Sequence, residues 1–243
     1  MQITIIGAPR SGTTLFAAMI GSHPEVSILN EDKTGAWRRA LGRPNLGVKL
    51  CVPNQTERSP AARDVARRRL EPEIAQRLGG FAAWDLGKSQ AWHEPFAGET
   101  LDDFLATAGE EARVLATLRS PERVVGSIQK RGGQPLGEAL YRWLRTVEIL
   151  HELSEAAPER VALVAFERLV SAPEPVLRAC ADWLGLAFHP AMLTADTPFY
   201  GMSEIDAEKA GTADNAFRTT LAQSFPAQWQ AYAMLRNGAL GGA

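Results

Sequence analysis

The stretch GAPRSGTT (residues 7–14) lies between two apolar segments, QITII at 2–6 and LFAAMI at 15–20. A short β-branched run that ends at glycine and proline predicts a buried strand. The apolar segment after the threonines predicts a helix over about residues 12–22. A glycine turn between a strand and a helix points backbone N–H groups at an anion, with the helix dipole behind them. The stretch therefore predicts an anion-binding loop.

The loop departs from the nucleotide-binding pattern G-x-x-x-x-G-K-[ST]. Gly7 and Gly12 have its spacing and Thr14 fills the last place, but Thr13 stands where the pattern has lysine. A fixed cation comes earlier, at Arg10, and a further hydroxyl at Ser11. Because that lysine reaches the β and γ phosphates of ATP or GTP, its absence argues against nucleotide hydrolysis.

The later apolar strands lead to a second expectation about the ligand. Enzymes of that type hold Mg²⁺ with an aspartate at the end of a later strand, whereas VLATL (114–118) ends at Arg119. VALVAF (161–166) is followed by Glu167 and then by Arg168. A cation at a strand end suits a second phosphate, so we expect a ligand with two anionic groups and no metal ion between them.

The remaining pattern predicts one α/β domain over residues 1–243, with a parallel sheet covered by helices on both faces. Further strands are expected at 26–29, 47–52, 113–119 and 160–166. Ser120 is expected to cap a helix that has Pro121 in its first turn, and Gly185 to end another. The expected helices cover 58–83, 100–109, 121–131, 135–156, 173–186 and 217–236, the last broken near Pro226, with an irregular loop at 194–215.

Composition narrows the class of protein. Hydrophobic residues make up 45% and charged residues 22% of the 243 residues, as in soluble globular proteins. A net charge of −2 gives no support to nucleic-acid binding. No segment has the ~18 apolar residues of a membrane span. Cys51 and Cys180 are expected to be buried, reduced thiols, and the protein is expected to be cytoplasmic.

A second segment with arginines is LRSPERVVGSIQKR (118–131). Together with the loop at 7–14, it forms a combination of motifs that is more specific than either segment alone. Arg119 ends the predicted strand, Ser127 lies in the next helix, and Arg123 shares its face because it is four residues earlier. With PRSGTT (9–14) and VAFERLVSAPEPVLRACADWLGLAF (164–188), this segment resembles the motifs of sulfotransferases that use 3′-phosphoadenosine 5′-phosphosulfate (PAPS). The resemblance extends from residue 2 to about residue 188.

The resemblance implies a P-loop NTPase-like fold and a role for each matching residue. Residues 10–14 would hold the 5′-phosphosulfate of PAPS, the co-substrate: Arg10, Ser11, Gly12, Thr13 and Thr14. Arg119 and Ser127 would hold its 3′-phosphate. No metal ion is implied.

The catalytic candidates also come from the resemblance, which favours tyrosylprotein and bacterial members with a glutamate base over members with a histidine base. Glu31 is the expected base, with Asp32 and Lys33 as neighbours that leave the choice open. Lys49 is the expected cation for the leaving group, together with Arg10, and Lys88 is the alternative. His93 is an alternative base, and Lys209 could close over the nucleotide.

Other residues are expected to be structural: His23 at a helix end, Glu167 near the sheet edge, and a solvated helix face with arginines at 63, 67, 68 and 69. The resulting hypothesis is transfer of a sulfuryl group from PAPS to a hydroxyl of a small molecule, saccharide or peptide. The acceptor pocket is expected within 54–100 and 190–215. Two alternatives remain: a small-molecule kinase on the same scaffold, and a protein that binds 3′-phosphoadenosine nucleotides without turnover.

Overall fold

A computed structural model describes residues 1–30, 44–53, 60–79, 112–194 and 214–241. Its centre is a parallel sheet of five strands in the order β2-β3-β1-β4-β5. The strands are β1 (Gln2–Gly7), β2 (Val26–Asn30), β3 (Asn45–Cys51), β4 (Arg113–Leu118) and β5 (Val161–Ala165). The parallel sheet that the alternating pattern predicts is confirmed.

Eight α-helices lie within the described ranges. They are α1 (Thr13–Gly21), α2 (Pro60–Arg77), α3 (Pro121–Gly132), α4 (Leu136–Ala156), α5 (Phe166–Ser171), α6 (Pro173–Leu184), α7 (Asn215–Ser224) and α8 (Pro226–Asn237). A 3₁₀ helix covers Pro190–Thr194. None of these helices is long and apolar enough to cross a membrane.

The sheet is buried on both faces because its strands carry apolar residues at successive positions. On β1, Ile3 and Ile5 belong to a core with α1, α5 and α6, whereas Ile6 belongs to a core with the remaining α-helices. The central position of β1, between β3 and β4, explains why five of its six residues are buried. Helices therefore cover the two faces of the sheet in two separate layers.

One partly buried carboxylate joins three helices of the second layer. Glu148 of α4 accepts hydrogen bonds from Arg69 of α2 and from Gln228 of α8, the latter at 2.9 Å. Burial opposes ionisation of this carboxyl, but the two hydrogen bonds and the charges of Arg69 and Arg145 lower its pKa. The paired carboxylate thus fixes how α2 and α8 lie on α4.

The strand order places a topological switch point between β1 and β4, and we refer to the region beyond the carboxyl ends of these two strands as the crevice between β1 and β4. The chain leaves β1 towards β2 and β3 on one side, and β4 and β5 lie on the other side. Gly7 at the end of β1 is in register with Thr117, one residue before the end of β4. In open parallel sheets, ligands bind where the connections diverge in this way, beyond the carboxyl ends of the strands.

Most of the predicted elements are confirmed, including the break of the closing helix. Phe225 separates α7 from α8, and Pro226 begins α8. Proline fits there because the first residue of a helix has no helical acceptor for an N–H group. Gly185 ends α6 in a left-handed conformation with φ 72°. The predicted helix at 100–109, the end of the predicted helix 58–83 and most of the loop at 194–215 lie outside the described residues.

Three features differ from the expectations. The sequence pattern missed α5, a short helix that follows β5 without a loop. Ser120 stands at the N-cap of α3, but its side chain makes no capping hydrogen bond. Cys180 is buried, and burial raises its pKa to about 12, but Cys51 is only partly buried because it lies at the end of a strand.

Close packing of neighbouring strands gives a stability prediction at Gly47. A Cβ there would lie 2.6 Å from the backbone oxygen of Ile3 and would also overlap the side chain of Ile28. We expect Gly47→Ala to lower the free energy of unfolding by about 1–3 kcal/mol, since backbone and core must shift. The measurement is urea unfolding followed by circular dichroism.

Gly126→Ala in α3 is the matched control, since a Cβ there meets nothing within 4 Å among the described atoms. We expect this substitution to raise the free energy of unfolding by about 0.5–1 kcal/mol, because alanine favours helix over glycine. A Gly47→Ala protein as stable as the wild type would contradict the packing of β3 against β1 and β2.

Candidate active site

The loop between β1 and α1 has two residues in the left-handed region of backbone conformation. Gly12 has φ 89° and stands at the N-cap of α1, where no side chain caps the helix among the described residues. A Cβ at Gly12 would also overlap the ring of Phe166. Arg10 has φ 72°, an uncommon conformation for a residue with a side chain. The uncapped N–H groups of the first turn of α1 can therefore bind an anion.

Ser11 ties this loop to β4. Its hydroxyl lies 2.8 Å from the Thr117 hydroxyl, which donates to the Ile6 carbonyl oxygen at 3.3 Å, so Ser11 is the donor in the first bond. The backbone N–H of Ser11 donates to the Ala8 carbonyl oxygen at 3.0 Å. Both donors of Ser11 are thus used inside the protein, in contrast to the partly exposed Thr14.

Arg119 is held from several directions at the end of β4. Its Nη1 donates to the Arg10 carbonyl oxygen at 3.0 Å, and its guanidinium stacks on the Phe166 ring at 4.4 Å from the centroid. The indole N–H of Trp143 in α4 donates to the Arg119 carbonyl oxygen at 3.4 Å. Side chain and backbone of Arg119 therefore have defined positions beside the loop.

The charges around Arg119 favour a bound anion. Burial lowers the pKa of this guanidinium from its usual value, and the cations of Arg123 and Arg10 lower it further. The Glu167 carboxylate acts in the opposite direction. A phosphate placed among the three arginines would offset their mutual repulsion.

The turn from β4 into α3 is fixed by α5. The backbone N–H of Ser120 donates to a Glu167 carboxylate oxygen at 2.8 Å. The structural role expected for Glu167 is confirmed by this contact. The hydrogen bond satisfies one of the free N–H groups at the beginning of α3.

Ser127 links the two predicted halves of the site. Arg10 Nε donates to the Ser127 hydroxyl oxygen at 3.1 Å, across 117 positions of sequence. Ser127 lies in α3, one turn after Arg123, and Arg131 is exposed one turn later. The structure therefore brings Arg10, Arg119 and Ser127 together at the crevice between β1 and β4.

Lys49 is nearly buried in β3, with 3% of its surface exposed. It is in register with Ile5 of β1 and with Asn30 of β2, so it shares the face of the sheet that α1 covers. Its Nζ donates to Cys51 Sγ at 3.6 Å, towards the carboxyl end of β3. The ammonium group thus lies towards the edge of the sheet where the loop lies.

The remaining candidates fall into two groups. Glu31, Asp32, Lys33, Lys88, His93 and Lys209 lie outside the described residues, and the side chains of Arg63 and Arg67 are not described. His23 is structural as expected: its Nε2–H donates to the Ala187 carbonyl oxygen and its Nδ1 accepts the Glu25 N–H. Arg68 and Arg69 are exposed, and Arg69 pairs with Glu148.

Sequence reasoning missed the contacts that assemble the site: Thr117 with Ser11, Phe166 with Gly12 and Arg119, and Trp143 with Arg119. Thr117 could have been found as the penultimate polar residue of an apolar strand. The apolar residues Phe166 and Trp143 carried no such signal. Among the described residues, no group of three or more His, Cys, Asp or Glu side chains could hold a metal ion.

Comparison with known proteins relates this geometry to a family. The chain is 26% identical over 206 residues to protein-tyrosine sulfotransferase 1 of Danio rerio. This alignment covers 79% of the chain and 55% of that protein. It is 26% identical over 200 residues to protein-tyrosine sulfotransferase A of Caenorhabditis elegans, covering 79% and 51%. The chain thus spans about half the length of these curated relatives.

Two solved structures share the fold. The sulfotransferase domain from the Synechococcus PCC 7002 olefin synthase superposes with a TM-score of 0.58 at 20% identity, covering 96% of this chain and 94% of that one. The sulfotransferase from Alicyclobacillus acidocaldarius superposes with a TM-score of 0.51 at 14% identity, covering 96% and 94%. The P-loop NTPase-like fold expected from the sequence is thereby confirmed.

The model of the Sulfotransferase family matches residues 2–190. This match covers the loop, the arginine-bearing strand end and α3, which form the crevice between β1 and β4. The resemblance found in the sequence motifs is therefore confirmed, and the chain belongs to the sulfotransferase family.

Proposed function

We propose that this protein transfers a sulfuryl group from PAPS to a hydroxyl group of an acceptor. The observation that carries the proposal is the pairing of two sites for anions, one at the loop before α1 and one at Arg119 and Ser127. They are joined by the hydrogen bonds from Arg119 to the Arg10 carbonyl and from Arg10 to Ser127. PAPS carries anionic groups at both its 5′ and 3′ positions, which matches this arrangement.

The proposal gives each half of the site a distinct task. The backbone N–H groups at the beginning of α1, with Thr13 and Thr14, would hold the 5′-phosphosulfate. Ser11 would support the loop, because its donors are used by Thr117 and Ala8. Arg119 and Ser127 would hold the 3′-phosphate, and Arg10 contacts both halves through its backbone and its side chain.

The chemical step needs a base and a cation for the leaving group. The acceptor oxygen would attack sulfur and form the new S–O bond, while the bond from sulfur to the bridging oxygen breaks. The hydroxyl proton would pass to the Glu31 carboxylate, and the products would be a sulfate ester and adenosine 3′,5′-bisphosphate. Glu31 follows Asn30 directly in the chain, and Asn30 is in register with Lys49.

Lys49 and Arg10 would stabilise the charge that develops on the departing phosphate. A cation as shielded from water as Lys49 acts strongly on a nearby developing charge. Thr13 in place of the loop lysine and Arg119 at the strand end favour this reaction over phosphoryl transfer with Mg²⁺. No metal ion is required by the proposed step.

The proposed reaction requires only that the acceptor carries a hydroxyl group, so the acceptor is a small molecule, a saccharide or a peptide. The names of the relatives, protein-tyrosine sulfotransferases, make a tyrosine-bearing peptide the first acceptor to test. A cytoplasmic location remains the prediction from composition.

The second anion site predicts selectivity for a nucleotide with a 3′-phosphate. We expect adenosine 3′,5′-bisphosphate to raise the melting temperature well above the shift that adenosine 5′-monophosphate gives at equal concentration, because only the former occupies Arg119 and Ser127. The measurement is a thermal-shift titration with both nucleotides. Equal shifts would contradict the assignment, and a larger shift with ATP and Mg²⁺ would favour a kinase.

The assignment of the base predicts a loss of turnover without a loss of donor binding. We expect Glu31→Gln to lower kcat by roughly 10²–10⁴ while bisphosphate affinity stays close to the wild-type value. Glu25→Gln, an exposed carboxylate just before β2, is the matched control and should retain full turnover. Steady-state kinetics and calorimetry on both variants measure this difference, and full turnover in Glu31→Gln would exclude Glu31 as the base.

The assignment of the 3′-phosphate site predicts the opposite pattern for Arg119→Ala. Its contact with the 3′-phosphate is remote from sulfur and nearly the same in ground and transition states. We expect the KM for PAPS to rise by roughly 10–100-fold, because the substitution removes charged hydrogen bonds to the 3′-phosphate. The change in kcat should be smaller. Steady-state kinetics with varied PAPS measures both constants, and a large fall in kcat at unchanged KM would contradict the assignment.

A further inference from the structure

We propose that Glu167 is a positioning residue that holds Arg119 in place for the 3′-phosphate, acting through the backbone N–H of Ser120. The inference deepens the proposed function and rests on it. Glu167 follows Phe166 at the beginning of α5, directly after β5, and so lies beside the end of β4.

The contact lies at the residue next to Arg119. The Glu167 carboxylate oxygen accepts the Ser120 N–H at 2.8 Å, and Ser120 is 1% exposed. A buried N–H that loses its acceptor has no water to replace it, so the chain around Ser120 would have to shift. Such a shift moves Arg119, since the two residues share a peptide unit.

The other contacts of Arg119 make its position sensitive to this shift. The guanidinium stacks on Phe166, the residue before Glu167, and donates to the Arg10 carbonyl. Glu167 and Phe166 thus hold the backbone and the side chain of the same arginine from one short helix. The Phe166 ring also lies against Gly12, so α5 contacts both halves of the proposed site.

Glu167 cannot itself bind the phosphate, because both groups are anions. Its charge supports the Arg119 cation, which burial and the neighbouring arginines oppose. The hydrogen bond and the charge are separable, because glutamine retains an acceptor oxygen and loses the charge. Glu167→Gln therefore removes the charge alone, Glu167→Ala removes both, and the difference between the two variants measures the hydrogen bond.

The experiment measures the affinities of adenosine 3′,5′-bisphosphate and of adenosine 5′-monophosphate by calorimetry, at a temperature where each variant is folded by circular dichroism. We expect Glu167→Ala to weaken bisphosphate binding about tenfold and monophosphate binding less than about twofold. Glu167→Gln should keep bisphosphate affinity within about threefold of wild type. Glu174→Ala, which removes an exposed carboxylate that pairs with Arg178 in α6, is the matched control and should change neither affinity.

A double-mutant cycle with Arg119 tests whether Glu167 acts through it. In an Arg119→Ala background, we expect Glu167→Ala to change bisphosphate affinity by less than about twofold. Three results would each overturn the inference. The first is that Glu167→Ala weakens the binding of both nucleotides equally, and the second is that Glu167→Gln weakens bisphosphate binding as much as Glu167→Ala does. The third is that Glu167→Ala still weakens bisphosphate binding about tenfold in the Arg119→Ala background. Wild-type protein that does not distinguish the two nucleotides would instead overturn the proposed function, so the two failures differ.

Discussion

The hydrogen bond from the Arg119 guanidinium to the Arg10 carbonyl oxygen is the contact on which the rest of the site depends. It joins the ends of two neighbouring parallel strands and faces a loop with two left-handed residues, Arg10 and Gly12. The bond stabilises a backbone conformation that an arginine rarely adopts, and in that conformation the Arg10 side chain reaches Ser127. One interaction thereby connects the loop, the strand end and α3.

The parallel sheet makes this contact possible. Because β1 and β4 are adjacent and run in the same direction, segments that are far apart in sequence leave the sheet at the same edge. The face covered by α1 also carries Lys49, which is buried in β3 and lies towards the same edge. The short helix α5 closes the arrangement, since Phe166 contacts Gly12 and Arg119 while Glu167 accepts the Ser120 N–H. The candidate site is therefore assembled at the ends of four strands, β1, β3, β4 and β5, and not by one motif.

The sequence predicted most of the described elements, and it singled out the two candidate anion-binding segments, because these signals are local. An apolar β-branched run followed by glycine marks β1, and an arginine after a second such run marks the end of β4. The contact between Arg10 and Ser127 was not predictable, because it depends on strand order and on the backbone angles of a single residue. No role in the site was expected for Phe166, because an apolar residue at a strand end is typical of a core. Ser11 was expected to bind the ligand, whereas its donors serve Thr117 and Ala8.

In the proposed function, one nucleotide spans both candidate anion sites, with its 5′ group at α1 and its 3′-phosphate at β4 and α3. A crystal structure of the complex with adenosine 3′,5′-bisphosphate tests this most directly. We expect the 5′-phosphate at the N–H groups of Gly12 to Thr14, and the 3′-phosphate within hydrogen-bond distance of Arg119 and Ser127. A nucleotide bound away from the crevice between β1 and β4, or with its two phosphates exchanged, would contradict the assignment of the two anion sites.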